Sequence, residues 1–288
     1  MESASRDALD EMTAERYRAA TRQSLRAAQD RLDEVVSSAG IDDLRVLSDE
    51  LFSVLDVLSS ERVLRRHLAD ASTEPDARRQ LVDTLFGGKI GQQAQTVLAD
   101  LAASRWSAST DLLDALEQLA REVALATAQR ADAIENVEDE LFRFGRILDA
   151  NPALHEALSN DNNPVAGRVE LLDGLVAGKV HPVTKLLLDQ AVRLPRTASL
   201  EVVVGKLAEL AAARRNRSVA HVLSAGPLTG EQEQRLARIL AEVFGREISV
   251  QVELDPELLG GLVIRVGDEV IDGSIAARLN KAREELPN

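Results

Sequence analysis

Apolar side chains recur at helical spacing through most of the chain. Leu47, Leu51, Leu55 and Leu58 are three or four residues apart, the interval that puts side chains on one face of an α-helix. Similar stripes follow, separated by glycine, proline and asparagine turn signals. They run over Val63–Leu68, Leu81–Phe86, Val97–Leu101 and Leu112–Ala126, after a first helix predicted over 14–36. This pattern predicts a mainly α-helical bundle.

The pattern changes after Arg217. Val219–Leu223 is a short β-like run, and apolar and polar residues alternate over Ile248–Leu254, as in a half-buried strand. Between them, Thr229 and Gln232 fit a capping box at the start of a helix that ends near Phe244. These elements predict a small α/β domain.

The last residues predict a hairpin followed by a helix. Leu262–Val266 and Glu269–Asp272 flank Gly267-Asp268, a dipeptide typical of tight β-turns. Ser274 then precedes an amphipathic stripe of Ile275, Leu279, Ala282 and Leu286. This stripe either packs on the hairpin of its own domain or forms a docking face for a partner helix.

The helical part repeats at an interval of ninety residues. Asp49-Glu50-Leu51-Phe52 recurs as Asp139-Glu140-Leu141-Phe142, and Gly88-Lys89 recurs as Gly178-Lys179. We interpret this as a tandem duplication of one helical bundle, in which the long helix from Leu112 closes the first copy and opens the second. The predicted organisation is a polar leader at 1–13, a first bundle at 14–130, a second at 131–217 and the α/β domain at 218–288.

Composition excludes several classes of protein. The chain has 288 residues, 45% of them hydrophobic, which excludes disorder, and only 2% aromatic. It has no cysteine, so a disulfide framework and thiolate metal sites are excluded. A net charge of −14 argues against nucleic-acid binding. No apolar run is long enough to cross a bilayer, and the acidic N-terminus does not resemble a secretion signal.

Motifs for catalysis are missing from the sequence. Gly87-Gly88-Lys89 lacks the first glycine and the following Ser/Thr of a phosphate-binding loop, so we interpret it as a helix stop. The four histidines show no metal-ligand spacing. Trp106 is either a core residue or an interface anchor. We therefore predict no catalytic, cofactor-binding or metal-binding residue, and no small-molecule substrate.

The C-terminal segment carries a family signature. Asp255-Pro256-Glu257-Leu258-Leu259-Gly260-Gly261, followed by Ile264–Asp268 and Val270–Ser274, closely resembles the end of the F-type ATP synthase delta subunit, called the oligomycin-sensitivity-conferring protein in mitochondria. The resemblance covers most of the chain. Delta subunits usually carry one six-helix bundle, whereas this chain carries two, as enlarged actinobacterial forms do.

The resemblance implies a non-catalytic stator subunit in the peripheral stalk. Its partners would be the N-terminal segments of the alpha subunits, which the helical bundle binds, and the b subunit, which the C-terminal domain binds. Arg16, Tyr17 and Ala20 fit the family's opening helix and are the expected head-binding residues. Ile275, Leu279, Ala282 and Leu286 are the expected residues for binding b. The chain would then lie on the cytoplasmic side of the cell membrane, attached only through the complex. The alternative is a helical-repeat adaptor that binds helical peptides in another assembly, for which the duplicated bundles alone would fit equally well.

Overall fold

The computed structural model confirms a mainly helical chain with a small C-terminal sheet. It describes residues 2–160, 162–194, 199–217, 219–244, 248–255, 258–266 and 269–275; the side chains of 2–18, 216, 217, 219 and 249 are not described. Two compact units are present, residues 1–208 and 209–288. No helix in the described ranges is both long and apolar enough to cross a membrane.

The helices occur in an order that repeats. The first series is α1 (Glu2–Ser38), α2 (Ile41–Ser60), α3 (Arg62–Leu68), α4 (Pro75–Phe86), α5 (Gln92–Ala103) and α6 (Ser109–Arg130). The second is α7 (Ile134–Ala150), α8 (Pro152–Ser159), α9 (Val165–Val176), α10 (Pro182–Arg193) and α11 (Leu200–Arg217). α4 and α9, like α5 and α10, begin and end ninety residues apart. The backbone of α1 is already helical at Glu2, within the segment predicted as a polar leader.

Backbone details recur at the same interval. Gly88 and Gly178 both have φ near +70°, which glycine adopts without strain after the helices α4 and α9 end. The N–H of Gly91, just before α5, donates to Glu50 Oε1 at 2.8 Å. The N–H of His181, just before α10, donates to Glu140 Oε2 at 2.9 Å. In each copy a glutamate therefore satisfies the start of the equivalent helix, α5 or α10, where negative charge is favourable.

A buried arginine caps the C-terminal end of α5. The guanidinium of Arg78 donates to the carbonyls of Ala102, Ser104 (2.8 Å) and Ala103 (3.1 Å). Arg78 is only 2% exposed, and its equivalent in the second copy, Arg168, is 3% exposed. Burial lowers the pKa of Arg78, but the helix C-terminus supplies acceptors that stabilise its charge.

Helix α6 connects the two copies. It packs against α1, α2 and α5 of the first copy and against α7 and α10 of the second. Its buried positions go around most of the helix and are largely alanine and leucine. α6 thus serves both copies, in agreement with the sequence interpretation of the long helix after Leu112.

A buried ion pair lies on α6. Arg121 pairs with Glu117 one turn earlier, and both side chains are mostly buried. Burial raises the pKa of Glu117 and lowers that of Arg121, while each partner opposes the shift in the other. A pair of this kind tolerates the loss of one partner poorly, because the remaining charge stays buried.

Charged side chains of α2 in the first copy and of α10 in the second interact with each other. Asp56 of α2 lies within electrostatic reach of Asp189 and Arg193 of α10, and burial raises its pKa while Arg193 opposes the rise. Arg193 Nε donates to Asp189 Oδ2 at 2.7 Å. The end of α10 therefore lies beside the face of α2 that carries Asp56.

The C-terminal unit contains a four-stranded sheet in the described residues. Its strands are β1 (Val219–Ser224), β2 (Ser249–Leu254), β3 (Leu262–Val266) and β4 (Glu269–Asp272), in the order β2-β1-β3-β4. β1 and β2 are parallel and are connected by α12 (Gly230–Phe244), whereas β3 pairs antiparallel with both β1 and β4. The sheet and α12 enclose a core of Ala220, Val222, Leu240, Ile248, Ile264 and Val266.

Several local predictions are confirmed. Thr229 N–H donates to Gln232 Oε1 at 2.8 Å and Gln232 N–H donates to Thr229 Oγ1 at 3.3 Å, so the capping box forms. β3 and β4 pair in the predicted hairpin register, although its turn at 267–268 lies outside the described residues. Trp106 is a core residue, 6% exposed, and its Nε1 donates to the carbonyl of Leu101.

The repeated phenylalanines differ sharply in exposure. Phe52 is 1% exposed and Phe142, at the equivalent position of α7, is 58% exposed. Phe52 lies one turn from Asp56, on the side of α2 that α10 approaches. Other equivalent pairs, such as Leu51 and Leu141, are buried alike. The difference therefore arises from the surroundings of each copy rather than from its internal packing.

We predict that Phe52→Ala destabilises the helical unit by about 3 to 5 kcal/mol, because a large buried ring is lost and a cavity remains. The matched substitution Phe142→Ala should change stability by less than about 0.5 kcal/mol, since it alters an exposed position. Denaturant unfolding followed by circular dichroism measures both. Equal losses for the two variants would contradict the difference in burial.

Candidate interaction surfaces

One side of α1 is fixed to the first copy by polar contacts. Thr21 Oγ1 donates to Asp111 Oδ2 at 2.7 Å, and Gln29 Nε2 donates to Glu122 Oε1 at 2.6 Å, both on α6. Arg31 pairs with Asp100 of α5 at 3.3 Å. These contacts orient the helix and leave its opposite side available.

The available side of α1 is polar and basic. Arg22 and Arg26 are exposed there, beside the exposed carboxylate of Asp30, along a shallow depression of about 360 Å³. Of the predicted head-binding residues, Ala20 is half-buried, whereas the side chains of Arg16 and Tyr17 lie outside the described residues. Head binding by these three residues therefore stays a prediction.

The two glycines of the family signature lie where the backbone at 260–261 passes close to residues 273–275 of the C-terminal unit. Gly260 and Gly261 have φ of +143° and +85°. A Cβ on Gly261 would lie 2.4 Å from the carbonyl oxygen of Gly273, and one on Gly260 would lie 2.7 Å from Cδ1 of Ile275. The Ile275 N–H donates to the Gly260 carbonyl at 2.9 Å. Gly261 is thus required both by its backbone conformation and by the close approach of the 273–274 backbone, whereas Gly260 is favoured by its positive φ.

The terminal stripe begins at this crossing. Ile275 contacts the glycine turn but remains 43% exposed. Leu279, Ala282 and Leu286 lie outside the described residues, so the choice between core packing and partner docking stays a prediction. Sequence reasoning did not identify other exposed apolar side chains in this unit. Among the described residues they are Ile239 and Val243 of α12 together with Leu254, Leu259, Val270 and Ile271.

Two of these residues lie on an edge strand. Val270 and Ile271 belong to β4, and every residue of β4 is exposed. Their apolar character predicted a strand but gave no signal of exposure, because a buried and an uncovered strand have the same composition. No group of three His, Cys, Asp or Glu side chains within the described parts of the chain is arranged to hold a metal ion.

The chain combines a duplicated helical scaffold with a small α/β unit. Its family is shown by comparison. Residues 122–286 match the model of the ATP synthase delta (OSCP) subunit family. The ATP synthase subunit delta of Streptomyces avermitilis is 44% identical over 267 residues, which cover 93% of this chain and 97% of that protein.

The comparisons also match two further proteins. An ATP synthase subunit b-delta of Mycobacterium sp. (strain KMS) is 42% identical over 98% of this chain, which spans 63% of that longer protein. A chain in the Toxoplasma gondii mitochondrial ATP synthase hexamer is 18% identical, with a TM-score of 0.31 over 58% of this chain and 96% of that one.

The chain belongs to the ATP synthase delta (OSCP) subunit family, and it is a peripheral-stalk subunit. The family match begins at Glu122, inside α6. It therefore takes in the end of the shared helix, the second copy and the α/β unit.

We predict that Gly261→Ala destabilises the C-terminal unit by more than about 2 kcal/mol, since it combines a steric clash with an unfavourable positive φ. Gly226→Ala is the matched control, because its Cβ would meet no atom within 4 Å. Hydrogen exchange of β1 and β3 amides reports on this unit. Normal protection of those strands in Gly261→Ala would show that the crossing does not require glycine.

Proposed function

We propose that this chain connects the catalytic head of the F-type ATP synthase to the b stalk and so prevents the head from turning with the rotor. The helical unit would bind the N-terminal segments of the alpha subunits, with Arg16, Tyr17 and Ala20 at the start of the contact. The α/β unit would bind b through Ile275, Leu279, Ala282 and Leu286.

The observation that carries this proposal is the 44% identity to an ATP synthase subunit delta over 97% of that protein's length. A general helical adaptor would need the duplicated bundles but not the sequence of the α/β unit. The anchored first helix adds support, because the polar contacts of α1 with α5 and α6 leave its outward side free along the helix. The exposed apolar side chains of the α/β unit supply a second surface.

A stator joint has to resist torque at every catalytic step. A nanomolar joint corresponds to about 12 kcal/mol, and durable interfaces bury on the order of 2,000 Å² or more. A helix that lies along a groove buries such an area, whereas a few surface side chains do not. The helical unit offers long, rigid helices on which joints of this size can be built.

The chain itself would carry out no reaction and would need no cofactor. Its association with the cell membrane would be indirect, through the complex and on the cytoplasmic side. The chemistry of ATP synthesis would belong to its partners, and the contribution of this chain would be to hold them in a fixed relation.

We predict that Ala20→Glu weakens binding to the isolated catalytic head at least tenfold, which equals about 1.4 kcal/mol, and leaves binding to soluble b unchanged. Leu279→Asp should do the reverse. Sedimentation binding with each purified partner measures both affinities for the full chain.

Ala77→Glu is a suitable control, because Ala77 is an exposed helical residue of α4 remote in sequence from both surfaces. It should alter neither affinity. If the unmodified chain binds neither the head nor b, the stator proposal is wrong. If Ala20→Glu and Leu279→Asp leave both affinities intact, the assigned contact residues are wrong.

A further inference from the structure

A groove on the first helical copy lies away from α1. It is formed by α2, α3 and the segment from the end of α4 to Ile90, and it has a volume of about 330 Å³. Six of its lining side chains are apolar, namely Val54, Val57, Leu64, Leu85, Phe86 and Ile90. The remaining two are Ser53 and Lys89. None of the described residues that line the groove carries a carboxylate, although the chain as a whole has a net charge of −14.

The apolar surface of the groove continues along α2. Val46 is 50% exposed and Val57 is 41% exposed, and these two positions share the side of α2 that carries Ser53. Glu50 lies between them, but its carboxylate accepts the N–H of Gly91. Val46 and Val57 thus lie about three turns apart on one side of α2, with the polar Glu50 and Ser53 between them.

The groove has a cation available at one end. Lys89 is exposed, and its side-chain ammonium has no hydrogen-bond or ion-pair partner among the described residues, although its backbone N–H donates to the carbonyl of Phe86. In the second copy the equivalent Lys179 Nζ donates to the carbonyl of Leu175 at 2.9 Å. The Lys89 ammonium can thus pair with a carboxylate of another protein without losing an existing side-chain contact.

The neighbouring helix α3 strengthens the positive potential. It carries Arg62, Arg65 and Arg66 and has no acidic residue in its first turn. Arg65 donates to the carbonyl of Leu58 at 3.1 Å, while Arg62 and Arg66 are exposed. Charges within about 10 Å contribute to local potential at physiological salt.

The second copy lacks this combination. Asn136 and Arg143 replace the positions of Val46 and Ser53, so the apolar stripe on α7 is interrupted. His155 and Glu156 replace Arg65 and Arg66, so α8 is not basic. The apolar lining positions are apolar in both copies, so the unpaired Lys89 ammonium, the uninterrupted Val46 and Ser53 positions and the basic α3 are what distinguish the groove of the first copy.

We propose that the groove between α2, α3 and α4 of the first copy binds an amphipathic helix of another subunit of the complex, one whose apolar stripe is flanked by carboxylates. This inference rests on the proposed function and adds a docking site separate from α1. The apolar side chains of the partner helix fill the groove beside Val57 and Leu85. A carboxylate of that helix pairs with Lys89.

Apolar contact supplies most of the affinity at such a site, because about 25 cal/mol is gained per Å² of apolar surface buried. The lysine contributes mainly selectivity. An acidic helix is attracted, whereas a basic helix places a like charge against Lys89 and the arginines of α3.

The first test uses the full chain and a synthetic amphipathic helix with a leucine stripe flanked by glutamates. A peptide of the same composition in scrambled order is the control. We expect Lys89→Glu to weaken binding of the amphipathic peptide at least fivefold in fluorescence anisotropy, and Val57→Glu to weaken it at least tenfold. The matched variants Lys179→Glu and Ile147→Glu should change it by less than twofold.

Equal effects in the two copies would overturn the proposal, as would equal binding of the scrambled peptide. Val57 and Lys89 are exposed, so these substitutions should leave the fold intact, and a thermal unfolding curve verifies this for each variant.

The second test identifies the occupant in the assembled complex. A photoreactive amino acid at position 57 should crosslink to an acidic amphipathic segment of another subunit, and the same residue at position 147 should not crosslink to that segment. Absence of a crosslink from position 57, or a crosslink to a second copy of this chain, would overturn the inference while leaving the stator role intact. Failure of the unmodified chain to assemble would instead contradict the proposed function.

Discussion

The helical unit depends on the burial of a single helix, α6. Alanines at positions such as Ala120 and Ala124 allow neighbouring helices to approach it closely, and leucines fill the remaining space. Because α6 contacts helices of both copies, a change in its position affects two cores at once. The buried Glu117–Arg121 pair adds a polar requirement to this packing, since neither charge is stable there without the other.

This arrangement suits a subunit that transmits force. Two bundles that share a core helix resist bending at their junction better than bundles connected by a linker, because any relative motion has to break packed contacts. Glu50 and Glu140 at the starts of α5 and α10, and Arg78 at the end of α5, fix these helix ends by side-chain contacts rather than by turns alone. The exposed surfaces are thereby held on rigid elements, which favours precise docking.

Much of the fold was predictable because it follows from local chemistry. The helical stripe of Leu47 to Leu58, the glycine stops and the Thr229 capping box each specify structure within a few residues. The ninety-residue repeat was visible because it preserves short identical motifs such as Asp-Glu-Leu-Phe. The start of α1 was less apparent, since a polar segment without an apolar stripe gives no helical periodicity.

The surfaces were harder to predict, because exposure is set by what surrounds an element. Phe52 and Phe142 occur in identical motifs, and the sequence contains no signal that one ring is buried and the other is not. Likewise, Val57 belongs to a regular helical stripe, and only the packed structure shows that its side of α2 is uncovered. The family signature predicted a role, but the contact residues on which that role depends are a matter of three-dimensional arrangement.

The shared helix also determines how many residues one additional copy of the bundle would need. Since α6 ends one copy and begins the next, adding a copy requires five new helices and not six, and the added segment is one ninety-residue period. Removal of one such period would leave a chain with a single bundle of six helices. Excision at the bundle boundary near Arg130 would instead leave α7 to α10 without the helix that covers their core. The length of such proteins should therefore change in whole periods, as it does in a solenoid, even though only two copies are present.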